Sequence, residues 1–386
     1  MQYDFDTLPQ RRGTDCEKWD LYDEDVLPLW VADMDFRSPE PVIRTLAERV
    51  EHGFFGYPND YTQVIELRQA IIDWIEQRHG WQVQPEDLVF LPGVITGFDL
   101  ACHTLKPSRR GVLVQTPIYP PMLGAAKNTG RLPQEAQLTR LEDGSFAVDW
   151  DAFESAITEK TGLFILCNPH NPTGRVFRRD ELERMAEICL SRDVLICSDE
   201  IHADLVYPDH SHIPIASLDP EIARRTITLM APSKTFNLAG LQCSYAIIPN
   251  QSLRRRYIAS SKGLVSWVNL LGRTAALAAY REGRDWLEQL LTYLQGNRDF
   301  LYNYIKAEMP QLCLARPEGT YLAWLDCRQA NLPADPYKYF LETARVALGD
   351  GRMFGPGGDG FVRLNFGCPR SILEEALNRM KISLNG

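Results

Sequence analysis

Lys234 stands where chemistry is possible. It follows the apolar, β-branched run Thr226 to Met230, and Ala231-Pro232 breaks that run before Ser233-Lys234-Thr235 and an Asn-Leu-Ala-Gly turn. A lysine just past a buried strand is poorly solvated, which disfavours its ammonium form. A neutral lysine amine attacks aldehydes. A Ser-Lys pair in a polar loop equally describes an ordinary surface lysine, so its surroundings must decide. Asp199 closes the apolar run VLICSDE, where a carboxylate is costly unless a cation meets it; a protonated ring nitrogen would serve. Arg363 in FVRLNFG has the mirror-image problem, and a carboxylate would satisfy its guanidinium bidentately. A structural ion pair remains open for each of the two.

The other chemistry-bearing positions are weaker signals. Gly93-Val94-Ile95 at a helix start offers N–H groups and the positive end of a dipole, as every helix does. Tyr119, set among prolines, can stack on a flat ligand or simply pack, and Asn171-Pro172-Thr173-Gly174 can be only a turn. Asp33 and Asp35 at the end of an apolar run read as turn formers in preference to an acid–base pair. His210 and His212, beside Pro208 and Pro214, read as solvated.

The elements that must position these residues alternate strand and helix. Strands are expected at 88–91, 112–115, 163–167, 194–197, 226–230 and 244–248, each followed by a punctuated loop or a helix. Helices are expected over 41–50, 61–79, 94–105 and 180–191, with Gly80 closing the second. Unbroken apolar strands between helices define an α/β fold, a mostly parallel sheet covered on both faces to make three layers. Ligands then sit at the carboxyl ends of the strands, where the loops gather. Beyond about residue 250 the texture changes to a long helical stretch reaching about Tyr280, a second from Trp286 to Met309, and strands at 321–325 and 361–366. That texture predicts a smaller α+β domain. The expected division is 1–50 as an arm and part of the small domain, 51–275 as the large domain, and 276–386 as the rest of the small one.

The totals exclude several classes. The 386 residues are long enough for two cores, and a formal charge of −10 argues against nucleic acid or an anionic membrane as partner. Nine scattered cysteines without a CxxC, several in apolar runs, read as reduced and buried. The seven histidines form no HxxxH pair, so no metal site is expected. With a polar, acidic start and no long apolar span, the expected location is cytoplasmic.

The ordered set GVI, PIYPP, NPHNPTG, SDEIH, PSKTFNLAGLQ and FVRLNFGCPR resembles the fold-type I pyridoxal phosphate enzymes of the class I/II aminotransferase superfamily. VADMDF, SDEIH, FNLAGLQ, TYLAWLD and GFVRLNFGCPR make it most similar to the branch of cystathionine β-lyase-type C–S lyases. The resemblance implies pyridoxal 5'-phosphate as cofactor, Lys234 as the Schiff-base lysine and catalytic base, and Asp199 as partner of the pyridine nitrogen. It implies that Tyr119 stacks on the ring and that Asn171 and His202 face its phenolic oxygen. The N–H groups of Val94 and Ile95, with Ser233, would hold the phosphate. Tyr57 would reach the phosphate of a neighbouring subunit, which implies a homodimer. Arg363 would bind the substrate α-carboxylate, with the backbone at Ala32 closing that pocket. The implied reaction is β-elimination from cystathionine or another S-substituted cysteine to a thiol, pyruvate and ammonia; amino transfer to a 2-oxo acid is the alternative. A non-catalytic regulator carrying a DNA-binding module is not expected, because the N-terminal arm is short. Two positions depart from the transaminase pattern: Ala231 stands where Ser or Thr is usual and Gln242 where Arg is usual. Both departures leave phosphate neutralisation open, and Gln242 favours the lyase branch.

Overall fold

The computed structural model describes residues 2–58 and 63–385. Seven strands form the central sheet: β1 (Leu88–Leu91), β2 (Gly111–Thr116), β3 (Leu132–Gln137), β4 (Thr161–Cys167), β5 (Leu195–Asp199), β6 (Thr226–Met230) and β7 (Ser244–Ile247). Their order across the sheet is β1-β7-β6-β5-β4-β2-β3. The pairings β3–β2, β2–β4, β4–β5 and β5–β6 are parallel, and only β7 runs antiparallel to its neighbours.

The unbroken apolar runs have a geometric cause. In β4, Leu163 and Ile165 enter one core while Phe164 and Leu166 enter another on the opposite face, as the two-residue period of a strand requires. One face is covered by α3 (Val94–His103), α4 (Pro120–Asn128) and α6 (Gln251–Ser261) through Phe98, Met122, Leu253 and Tyr257. The other is covered by α5 (Arg179–Ser191) through Leu182, Met185 and Cys189. The α/β three-layer expectation is met.

A smaller antiparallel sheet is built from β8 (Cys313–Leu314), β9 (Leu322–Asp326), β10 (Gly349–Asp350) and β11 (Phe361–Asn365), in the order β8-β9-β11-β10. The N-terminal segment joins it. Leu27–Pro28 runs parallel to Val346–Ala347, and Asn365 N donates to Leu29 O at 2.9 Å. Helices α8 (Arg284–Glu308) and α9 (Arg370–Asn385) pack here, with α1 (Glu40–His52), α2 (Gln63–His79) and α7 (Leu270–Glu282) contributing to the same large apolar cluster.

Several expectations need correcting. The single helical stretch predicted up to Tyr280 is two helices, α6 and α7, because Gly263 adopts φ +76° and Asn269 caps α7 through Gly272 N at 2.7 Å. Strand β3 was not legible: it lies at the sheet edge, and its sequence LPQEAQ is largely exposed and holds a proline. The helix expected from 61 is described from Gln63; residues 61 and 62 lie outside the described part. Asp33 and Asp35 do more than turn the chain. Asp35 accepts Lys18 Nζ at 2.7 Å, Arg11 NH1 at 2.8 Å and Trp19 Nε1 at 2.8 Å, and Arg11 NH2 also reaches Asp33 at 2.5 Å. These bonds fasten the N-terminal arm over residues 33–35.

Candidate active site

Parallel strands share their carboxyl ends, so the loops after β2, β4, β5 and β6 open on one edge of the sheet. There a cavity of about 540 Å³ is walled by Lys234, Asp199, Arg363, Tyr119, Asn171 and His202. Val31, Ala32, Val94, Cys167 and Ile201 supply the remaining, mostly apolar, surface. Wider clefts open elsewhere, one of about 1290 Å³ beside the N-terminal arm, where Arg11 and Asp35 are already paired with each other.

Lys234 belongs to a one-turn helix, Pro232–Thr235, that begins after Met230 ends β6. Its Nζ donates to Ala32 O at 2.6 Å. Burial pulls its pKa down to about 8, with Arg363 acting the same way and Asp33 and Asp199 opposing. Asn237 makes this reach possible. It turns the chain at φ +57°, and its amide donates to Met34 O at 3.0 Å and Phe36 O at 2.8 Å. The lysine loop is thereby stitched to the segment that carries Ala32.

Asp199 and Arg363 are buried, and neither forms a salt bridge among the described residues. Asp199 accepts only the N–H of Ile201, at 3.0 Å. Burial pushes its carboxyl up to about 7, helped by Glu200 and opposed by the Ile201 N–H and Lys234. Arg363 donates to two neutral oxygens, Asn171 Oδ1 at 3.0 Å and Trp30 O at 2.8 Å, and lies over the Phe354 ring at 5.0 Å. Its Nε is buried with no partner, and burial draws its pKa down to about 10. The ion-pair alternatives left open for both residues are therefore removed. Each keeps a site for a ligand of opposite charge.

His202 Nδ1 is likewise buried with no partner, and burial, then Lys234 and Arg363, depress its pKa to about 3. Its ring is neutral and can exchange hydrogen bonds with an oxygen in the cavity. Asn171 offers Oδ1 to a guanidinium that can only donate, which turns its Nδ2 to the donor role for a ligand. Tyr119 presents a half-buried ring on the wall. Val94 opens α3 there, and the first N–H groups of a helix have no partner within it. Such a constellation suits a flat molecule with an anionic group, an aldehyde within reach of an amine, and a ring atom that can carry a proton toward Asp199.

Three expected residues are not on this wall. Ile95 and Ser233 sit one position away from Val94 and Lys234, Ile95 being 42% exposed. Tyr57 lies on the outer surface, 90% exposed, with its ring edge-on to Trp267 at 5.4 Å. Of the two departures, Ala231 is buried and the Gln242 side chain is exposed, with φ +50°. His210 is exposed, but His212 is not solvated as expected. The loop folds back so that His212 Nε2 lies 2.8 Å from Glu200 Oε2, bracing the end of the strand that carries Asp199. Residues missed from sequence include Asn237, Cys167 and Asn365. Asn365 was within reach, because residues two apart on a strand share a face and it follows Arg363 by two. Its amide donates to Val31 O at 2.7 Å and Asp33 O at 2.8 Å. Among the described residues no cluster of side chains could hold a metal ion, and no helix is long and apolar enough to cross a membrane.

The chain belongs to the aminotransferase class I and II family, whose pattern matches residues 24–380. Its relatives share the whole architecture. It is 40% identical to cystathionine beta-lyase PatB of Bacillus subtilis strain 168, across 99% of this chain and 100% of that one. Among solved structures it is similar to OvoB, 44% identical with a TM-score of 0.94 and full coverage of both chains. It is also similar to cystalysin from Treponema denticola, a structure that contains a pyridoxal 5'-phosphate cofactor, at 32% identity, a TM-score of 0.94 and coverage of 100% and 99%.

Proposed function

We propose that the protein is a pyridoxal 5'-phosphate-dependent C–S lyase that cleaves S-substituted cysteines, cystathionine among them, to a thiol, pyruvate and ammonia. The observation that carries this reading is the pair of buried charges, Asp199 and Arg363, in one cavity with a lysine amine of depressed pKa. The names of the relatives favour the lyase over amino transfer.

The residues present fit the cofactor. Lys234 would hold its aldehyde carbon and Asp199 its ring nitrogen. Tyr119 would lie on the ring, Asn171 and His202 would meet its phenolic oxygen, and the N–H groups of Val94 and Ile95 with Ser233 would take its phosphate. When bound, the cofactor supplies an electron sink for negative charge developing at an amino acid α-carbon. Asp199 would hold a proton on the ring nitrogen. Arg363 fixes the substrate carboxylate with its guanidinium fork. Lys234 Nζ would take the α-proton of the substrate as general base. Val31, Ala32 and Ile201 exclude water around that proton.

The proposal extends to assembly and location. Phe54, Phe55, Tyr57, Leu264 and Trp267 are all more than half exposed, an apolar surface suited to a second copy of the chain. A homodimer would carry Tyr57 to the neighbour's phosphate. We assign residues 51–275 to the large cofactor domain and 1–50 with 276–386 to the smaller one. All nine cysteines are unpaired, eight of them buried, which supports a reducing, cytoplasmic setting.

Incubating the cofactor-loaded protein with cystathionine alone releases pyruvate. Amino transfer to a 2-oxo acid without pyruvate release would reverse the assignment in favour of an aminotransferase. A second expected result concerns Arg363→Lys. A point charge cannot reproduce two parallel hydrogen bonds to a carboxylate, so kcat/KM falls about 30-fold, the lower end of the cost of removing one side of a desolvated charge pair, because lysine keeps the charge. An unchanged kcat/KM would remove Arg363 from substrate binding.

A further inference from the structure

The turn that carries Lys234 is a four-residue helix, too short to hold its own shape. On the cavity side Asn237 ties its exit to residues 34–36. On the opposite side Thr235, 1% exposed, donates its hydroxyl to Asp204 Oδ2 at 2.9 Å. Asp204 is buried behind the sheet edge and accepts Trp74 Nε1 at 3.1 Å; Arg78 Nε and His79 Nε2 each stand 3.5 Å from its Oδ1. Burial acts to raise the Asp204 pKa, but His79, Arg78 and Thr235 outweigh it and hold the carboxyl below its ordinary range. A buried carboxylate with donors on both oxygens is a rigid anchor, and its bond to a hydroxyl is charge-assisted. Trp74, Arg78 and His79 all lie in the last turns of α2, so the lysine turn is referenced to a 17-residue helix. None of these groups lines the cavity.

We propose that Asp204, acting through the Thr235 hydroxyl, is a positioning residue that sets where the Lys234 amine stands in the active site. The inference rests on the reading of Lys234 as the cofactor-bonding and proton-accepting group. With the Thr235 bond gone, the turn keeps no hydrogen bond to the Asp204 cluster and is held on that side only by the packing of Phe236 on Trp74, Tyr280 and Trp286, which lets it shift. Small misplacements of a reacting group are expensive, about 100-fold for 1 Å. The groups facing Lys234 are Asp33, Asp199, Arg363, His202 and the hydroxyl of Tyr321, which shares Ala32 O with it at 3.1 Å. All of them are unchanged by substitution at 235, so a change in amine behaviour reports position.

The test compares Thr235→Val, which removes the hydroxyl at constant shape, with Thr235→Ser, which keeps it. In the cofactor-loaded enzyme Thr235→Val is expected to lower kcat about 10- to 100-fold with KM changed less than about 3-fold, and Thr235→Ser to restore kcat. In cofactor-free protein, the labelling of Lys234 by acetic anhydride is followed by mass spectrometry against pH. The wild type has its midpoint near the depressed value of about 8; Thr235→Val moves it toward that of an ordinary lysine, and Thr235→Ser does not. If Thr235→Val does not fold, Thr235→Ala, which also removes the hydroxyl, is read by the same two measurements, with the same expectation. A wild-type kcat and labelling midpoint in the valine variant, with only a lower Tm, would overturn the proposal and leave a purely structural contact. If the wild type never bonds pyridoxal phosphate at Lys234, the functional reading fails, while the labelling comparison still decides this one.

Discussion

Replacing Lys234 with alanine lowers the release of pyruvate from an S-substituted cysteine by about 10⁴-fold or more, the upper range for loss of a positioned general base. No neighbour can take over. Arg363, the other cation on the wall, is pinned by Asn171 and Trp30 and keeps a pKa of about 10. His202 is neutral, but with its pKa near 3 it is too weak a base. The same variant loses the covalent link between chain and cofactor, read as the absence of a borohydride-fixed adduct at residue 234 by mass spectrometry. Turnover within tenfold of wild type would end the assignment of Lys234 to both roles.

Asp199→Asn is expected to lower turnover about 10²- to 10³-fold, since a neutral amide cannot hold a proton on a ring nitrogen and a lost preorganised electrostatic contact has effects of that size. A carboxylate buried without a close cation is a liability to the fold. In the cofactor-free protein the folded pKa is about 7 against an ordinary 3.8. As pH rises from about 4 to about 7 the unfolded chain sheds this proton while the folded chain retains it, so Asp199 increasingly destabilises the fold. Above about 7 the penalty is complete, at most on the order of 4 kcal/mol for a shift of this size, and reduced by any water that enters the cavity. Cofactor-free Asp199→Asn is therefore more stable than wild type in urea titrations at pH 8, and the advantage disappears near pH 4. Equal stability at both pH values would show that the carboxylate is not desolvated.

What was legible in the sequence was whatever rests on local pattern. The strands ending at Cys167, Asp199 and Met230 were readable because apolar residues on two faces leave a continuous run, and the lysine loop was readable because Pro232 interrupts one. The pairing of Asp199 with Arg363 around one cavity was not visible from either residue alone; it followed from the ordered motifs taken together. Other features depend on contacts distant in sequence, which local pattern does not encode. Lys18 and Asp35 meet because the arm folds back, His212 is buried because its loop returns over β5, and Asp204 meets Trp74 across 130 residues. The edge strand β3 escaped because one exposed side removes the hydrophobic signal.

The seating of Arg363 joins distant parts of the chain. Its guanidinium is held by Trp30 O and Asn171, and Asn365 holds Val31 and Asp33 from the same strand. Residues 30–33 are thus held by a strand more than 300 residues later in the chain. That side of the cavity is therefore shaped by a contact between distant segments, and no local stretch of chain can form it alone.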